Sequence, residues 1–392
     1  MTRAQQATGF VEADAARIVQ EWKRIALVAA PEGGESARAS VIAELAQTAA
    51  ADHVEIDRAG NVVATLTGDG EQSLTFLATM DDLASVAAHR QRSERIAVDG
   101  DRLVGPCVET TSSDASALAI IRFASSRARR FRLLTVAFVL GEETGLSGVR
   151  ALCTDRGADL GPVVDLMGGV GTISWNAVGF DGVLVEFGTE PRHSLYGGVS
   201  EVSDAIARFV TAVHADPPPS VHPESDDPGA VLSVRRVNQL LAGSVFNHSP
   251  ATGTVSVDIR SSDPAALARL GQQTRDLATV IAADVGVQVT CRDGMQQAAF
   301  TLPGGSSHPL VRAGAQAVRD VGAPLLLRPW SSSNINAVYE AGLEGIVHDG
   351  THRGGGRGTA DEWADIPGVL TGVAADCQLL RLITGEVPLV EV

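Results

Sequence analysis

The chain has 392 residues, 44% of them hydrophobic and 20% charged, which is ordinary globular composition with length enough for two or three domains. Its formal net charge of −16 argues against polyanionic partners, so neither nucleic acid nor an anionic membrane is expected. The cysteines Cys107, Cys153, Cys291 and Cys377 are scattered without a CxxC pair, as reduced thiols of a cytosolic protein are. No run reaches the roughly 18 apolar residues of a membrane helix, and no signal peptide is evident, so the expectation is a cytoplasmic protein.

Helical spacing of Ile18, Val19, Trp22 and Ile25 predicts a helix over Glu12 to Ala29. A second helix, Ser36 to Ala50, follows the breaker run Pro31 to Gly34. Strands are expected from Val54, over Val62 to Thr67 and over Ser73 to Thr79, with a turn at Arg58 to Asn61. A helix over Ser113 to Arg129 precedes the apolar run Leu133 to Leu140, which has the pattern of a strand buried on both faces. Another helix starts at Ser147. The alternation is that of an α/β layered domain.

The pattern changes near Phe180. Strand Gly182 to Phe187, helix Val199 to His214, strands Val231 to Val237 and Thr254 to Ile259, helix Pro264 to Asp284 and strand Val287 to Arg292 give a βαββαβ order. That is the split-βαβ, ferredoxin-like arrangement. From about Thr301 the α/β grammar returns, with helices Pro309 to Val321, Ile335 to Ala341 and Val369 to Thr384 and strand Gly345 to His348. The simplest organisation is a discontinuous α/β domain, residues 1–179 and 299–392, interrupted by a small α+β domain over 180–298.

Several segments carry a resemblance when taken in order. They are Gly60-Asn61-Val62, Leu77 to Asp81, Leu103 to Pro106, Gly141-Glu142-Glu143, Pro191 to Ser194, Phe246 to Pro250, Asp258 to Arg260, Ser331 to Asn334 and Thr359 to Trp363. With them the chain resembles, over nearly its whole length, the co-catalytic zinc peptidases and aminoacylases, which include glutamate carboxypeptidase, acetylornithine deacetylase and tripeptidase T. The resemblance implies a mixed-sheet α/β/α catalytic domain with an inserted ferredoxin-like lid and dimerisation domain. It also implies a homodimer and a small amino-acid- or peptide-like substrate. In that family two zinc ions share a bridging carboxylate, activate water and polarise an amide, while a glutamate moves the proton.

Matched residue by residue, the metal site is degenerate. Thr79 stands where the first histidine ligand belongs, with its orienting aspartate kept as Asp81. Thr110 stands at the bridging carboxylate and Gly358 at the last histidine. The next aspartate belongs near Leu166 to Gly168, where only Asp165 lies close by. Glu142 matches the general base, and Glu143 is the one secure ligand match. Threonine and glycine cannot replace imidazole or a bridging carboxylate, so no metal cofactor is expected. Glu109, Cys107, Asp165 and His352 lie near the lost positions in sequence and with Glu143 form the candidate set for a relocated metal. In the inserted domain His193 matches a residue that reaches a substrate oxyanion, and Asn247 and Arg260 match residues that hold a substrate carboxylate.

The reading is an amidohydrolase-like enzyme, fitted to a biosynthetic setting, that works without the zinc pair. Its catalytic candidates are Glu142, Asp81 and His193, and its binding candidates Asn247 and Arg260. The reaction would be amide hydrolysis, acyl transfer or cyclisation. Two alternatives stand beside it. One is a non-catalytic binding or partner protein on the same fold. The other is an ordinary zinc amidohydrolase with displaced ligands.

Overall fold

The structure, a computed structural model, describes residues 5–82, 96–167, 171–196, 201–218, 231–349 and 354–386. The chain divides into two compact units, Met1–Asn176 with Thr301–Val392, and Ala177–Phe300. The first unit opens with α1 (Gln5–Ala26), α2 (Ser36–Thr48), β1 (His53–Ile56), β2 (Val62–Thr67) and β3 (Ser73–Thr79). It continues through β4 (Ala97–Asp99), β5 (Arg102–Val104), α3 (Val108–Ser125), β6 (Leu133–Val139), α4 (Ser147–Arg156), β7 (Val163–Met167) and β8 (Thr172–Ser174). The second unit runs β9 (Gly179–Gly188), α5 (Glu201–Ala215), β10 (Ser233–Ala242), β11 (Thr252–Ser261), α6 (Pro264–Val285) and β12 (Gln288–Gln297). The chain returns to the first unit with α7 (Pro309–Asp320), β13 (Leu326–Leu327), α8 (Ile335–Glu340) and β14 (Gly345–Asp349). It ends with β15 (Gly354–Gly355), β16 (Trp363–Asp365) and α9 (Ile366–Ile383).

Eight strands of the first unit form one mixed sheet in the order β1-β2-β6-β3-β7-β14-β8-β13. β6, β3, β7 and β14 pair in parallel, whereas β1 and β2 pair antiparallel at one edge. Every residue of β3 is buried, as a parallel strand covered by helices on both faces requires. On the helical layers α1 packs against α3 and α9, α9 against α7, and α4 against α8. By length and composition α9 could cross a membrane, but two-thirds of it is buried inside this unit, as a core helix is.

The second unit is a four-stranded antiparallel sheet, β10-β11-β9-β12, carrying two helices. Alternate residues Val183, Val185 and Phe187 of β9 and Val255, Val257 and Ile259 of β11 are buried with Val202 and Phe209 of α5. Period-2 burial on strands set against a helical stripe is what the sequence pattern demanded. Asp263 caps α6 by accepting the Ala265 and Ala266 N–H groups, and Gly286, at φ 82°, ends it.

Helix boundaries differ from expectation: α1, expected over Glu12 to Ala29, runs Gln5–Ala26, and α3, expected to reach Arg129, ends at Ser125. The helix predicted from Ser113 begins at Val108, where Cys107 adopts a left-handed turn at φ 60°. The segment from Thr111 to Ala124 is buried on every side, so it has no polar face to mark its period. The predicted start of the α5 helix at Val199 lies outside the described residues.

A buried ion pair fixes the end of β3. Arg38 and Asp82 are both fully buried and meet at 2.7 Å, and Arg38 also donates to the carbonyls of Val28 and Met80. The pair brackets Asp81 from either side of the chain. Asp82→Ala would leave the guanidinium buried without its counter-charge. The expected loss is about 3–5 kcal/mol, read as a lower urea midpoint at unchanged slope.

Candidate active site

Parallel strands bring their carboxyl ends to one edge, where open α/β sheets place their sites. Here β3 delivers Thr79 and Asp81, β6 runs on into Gly141-Glu142-Glu143, and β7 carries Asp165. The start of α3 adds Glu109, Thr110 and Ser113. Thr79, Asp81, Glu109, Thr110, Ser113, Glu142 and Glu143 line one pocket with Met167 and Arg357. Its closed interior is about 10 Å³, room for a single water.

The loop holding the glutamates is built by close packing. A Cβ on Gly141, which sits at φ 71°, would lie 2.4 Å from Ser147 Oγ, so only glycine fits there. Asn61 ties the loop to the β1–β2 turn. Its amide donates to Asp57 Oδ2 and the Gly148 carbonyl, and its Oδ1 accepts the Leu140 N–H. Asp81 receives the Glu142 N–H at 3.2 Å and the Glu143 N–H at 3.5 Å. Asp81 therefore aims the glutamate pair.

Desolvation governs the charges. Burial pushes Asp81 up to about 6, against the two N–H donors that favour its ionised form. Burial pushes Glu142 up to about 8, aided by the negative charges of Glu143, Asp165 and Asp81 and opposed by Arg357. Burial also raises Asp165 to about 6, and Ser333 and Asn334 hydrogen bonds hold it back. Glu109 and Glu362 are raised for the same reason, and Arg357 opposes both. Asp114, fully buried below the pocket's helix start, is raised well above the carboxylate range, and neither of its oxygens has a partner among the described residues.

Thr79, which the resemblance matches to a metal ligand, belongs to a buried hydrogen-bond network. Asn334 Nδ2 donates to Thr79 Oγ1 at 2.9 Å and, more weakly, to Asp165 Oδ1, while the Ser333 hydroxyl donates to Asp165 Oδ2 at 2.6 Å. Thr110 Oγ1 is buried without a partner among the described residues. At the position of the last histidine, the Gly358 N–H donates to Glu362, which also accepts the Glu109 N–H. No three His, Cys, Asp or Glu side chains among the described residues converge as a metal ion needs. These residues do not fit the zinc pair. Cys107 is buried at the start of α3, and His352 lies outside the described residues, as does Gly168.

Three expected site residues lie in the second unit. His193 forms an isolated bridge with His248, and its Nε2 is 3.3 Å from Asn247 Nδ2. Both His193 and Asn247 stand near the surface of that unit. Arg260, on β11, is paired with Asp258 at 3.0 Å and lies over the Phe180 ring. The structure thus joins Asp81, Glu142 and Glu143 in one pocket, and it groups His193 with Asn247 but not with Arg260. Sequence reasoning missed Arg357, the pocket's cation, because nothing in the glycine-rich segment from Gly354 to Gly358 marks it.

No family model matches the chain, and no curated protein matches its sequence. Solved structures do share its fold. Aminopeptidase PepT from Bacillus cereus superposes with a TM-score of 0.72 at 15% identity, over 94% of this chain and 98% of that one. A dinuclear metal-binding peptidase of the M20 family from Bacillus subtilis gives 0.67 at 14%, over 96% and 100%. The dipeptidase Dug1p from Saccharomyces cerevisiae gives 0.74 at 11%, over 98% and 99%. At such identities the likeness is one of fold, and the fold is that of M20 peptidases.

Raised carboxyl groups make stability depend on pH with a definite sign. The folded state binds more protons than the unfolded one between the ordinary carboxylate value, about 4, and the folded values. This contribution is complete below about pH 4 and is lost as pH rises through about 6 for Asp81 and Asp165, then about 8 for Glu142. The urea midpoint should fall between about pH 4 and pH 8, by the equivalent of a few kcal/mol. Glu142→Gln should flatten the curve above about pH 6 and make the fall below it shallower.

Proposed function

We propose that this protein is a peptidase- or aminoacylase-like enzyme that acts on an amino-acid- or peptide-derived substrate without the zinc pair of its structural relatives. The observation that carries this reading is the pocket itself, in which Glu142, Asp81 and Glu143 meet the guanidinium of Arg357 around room for one water. Support for the substrate class comes from the fold shared with an aminopeptidase and a dipeptidase. Glu142 is the general base. In its ionised form it takes a proton from water, or from an attacking amine, and passes it to the leaving nitrogen. Arg357 faces the same pocket and supplies positive charge for a developing oxyanion or a substrate carboxylate. Asp81 holds the Glu142 and Glu143 backbone in place.

His193 and Asn247, grouped within the second unit, are in this reading contacts for a substrate carbonyl or carboxylate. Arg260 would have to exchange Asp258 for a substrate carboxylate to join them. Free thiols in all four cysteines accord with a cytoplasmic setting.

Assay against a panel of dipeptides and N-acyl amino acids tests the proposal. Glu142→Gln should lower turnover by about 100-fold or more with the fold intact, and activity should rise with pH toward about 8 as Glu142 ionises. Elemental analysis should find less than one zinc per chain, and a chelator should leave the rate unchanged. Two bound zinc ions, or full activity in Glu142→Gln, would defeat the reading.

We further propose that the protein is a homodimer that joins through the second unit. β10 is an edge strand whose last residues are exposed, with Leu240, Leu241 and, just beyond it, Phe246 facing out. Uncovered edges and apolar patches of this kind call for a partner. Light scattering should give twice the chain mass, and Leu241→Asp should shift it to the monomer. A monomeric wild type would exclude the dimer.

A further inference from the structure

A second cavity of the first unit, about 350 Å³, lies against the amino-terminal half of β6, whereas Glu142 follows the carboxyl end of that strand. Pockets for small molecules begin at about 300 Å³, so this one admits more than water. Its other walls come from β1 with the turn after it and from the end of α4 with the short helical turn that follows. None of its lining side chains takes part in the chemistry assigned to Glu142.

The polar lining is acidic and only partly neutralised. Glu55 is paired with Arg156, and Asp159 with Arg132 at 3.1 Å. Asp57 and Asp155 also line the cavity, and neither has a cationic partner among the described residues. Asp57 Oδ1 accepts the N–H groups of Ala59, Gly60 and Asn61, while Oδ2 accepts the Asn61 amide and keeps a lone pair to spare. Asp155 is exposed, so the cavity is open to solvent. The rest of the wall is apolar, formed by Leu133 and Leu152.

Exposed carboxylates alone are ordinary solvated surface. Thr135 is the independent sign of a ligand. It is 1% exposed, it lines the cavity, and its Oγ1 has no partner among the described residues. It stands in register with Thr75 of β3, whose hydroxyl donates to the Leu160 carbonyl. A buried hydroxyl without a partner is costly, and a donor seated in the cavity would remove that cost. A bare metal ion is the wrong occupant, since no three His, Cys, Asp or Glu side chains among the described residues converge on one. Two uncompensated carboxylates, a lone hydroxyl and an apolar wall match a cation that carries its charge on an alkyl chain.

We propose that this cavity is a binding site for a small alkyl diamine. Its ammonium groups donate to Asp57, Asp155 and the Thr135 hydroxyl, and its methylenes cover Leu133 and Leu152.

The test is isothermal titration calorimetry of the full chain at low salt with 1,4-diaminobutane as probe. One saturable site per chain is expected, weakened about 10-fold or more in Asp155→Asn and about 5-fold in Thr135→Val. Butylamine, with one ammonium group, should bind about 10-fold more weakly, and magnesium alone should not displace the diamine. Thr135→Val removes only an unpaired hydroxyl, so its melting temperature without the diamine should not fall. Glu142→Gln should bind as the wild type does, which separates this cavity from the carboxylate pocket and from the fate of the Glu142 reading. Absence of saturable binding, affinity unchanged in both Asp155→Asn and Thr135→Val, or binding lost in Glu142→Gln overturns the proposal.

Discussion

Parallel pairing of β6, β3 and β7 is the constraint on which the site depends. Parallel neighbours run in one direction, so Val139, Thr79 and the end of β7 finish at the same edge and their following loops are neighbours. Of the crossovers that parallel pairing requires, α3 packs on β3, β6 and β7, and α4 packs against α8. Carboxyl groups placed there must either ionise against a cation or keep their protons. Asp81, Glu142 and Asp165 gather under that rule, and all three are displaced upward.

In a dinuclear peptidase the counter-charge would come from two divalent ions. Among the described residues the strand ends meet hydrogen-bond partners and one cation. Thr79, Asn334, Ser333 and Asp165 form a chain of neutral donors and one acid, which satisfies the buried edge with little charge. The network is incomplete, since Asn334 Oδ1 and Thr110 Oγ1 are buried without partners among the described residues. Arg357 supplies a single positive charge in the pocket, on an exposed loop residue. One solvated guanidinium only partly opposes the burial and the neighbouring negative charges that push Glu142 upward.

Much of the fold is legible because its elements obey simple periods. The buried run of β6 and the alternation on β9 and β11 can be read directly, and the βαββαβ order follows from them. The first turn of α3 is not legible, because Val108 to Ser116 is small, mixed and largely buried. β7 is five residues long and packed between strands, too short for a period to register. Of the site, the Glu142-Glu143 pair and Asp81 stand out by spacing and order. Arg357 does not, since it comes from a separate segment that only tertiary packing brings to the pocket.

Asp81 explains how the pocket keeps its shape with a threonine at position 79. Were Asp81 held only by an imidazole at position 79, a threonine there would leave a buried carboxylate without a donor, an expensive state. Instead its two oxygens receive the N–H groups of Glu142 and Glu143. The ion pair of Arg38 with the adjacent Asp82 fixes the backbone on the far side. The strand end is therefore determined by contacts to the loop and to α2. What positions the Glu142-Glu143 loop is thus the backbone hydrogen bonding of Asp81, independent of the side chains at Thr79, Thr110 and Gly358.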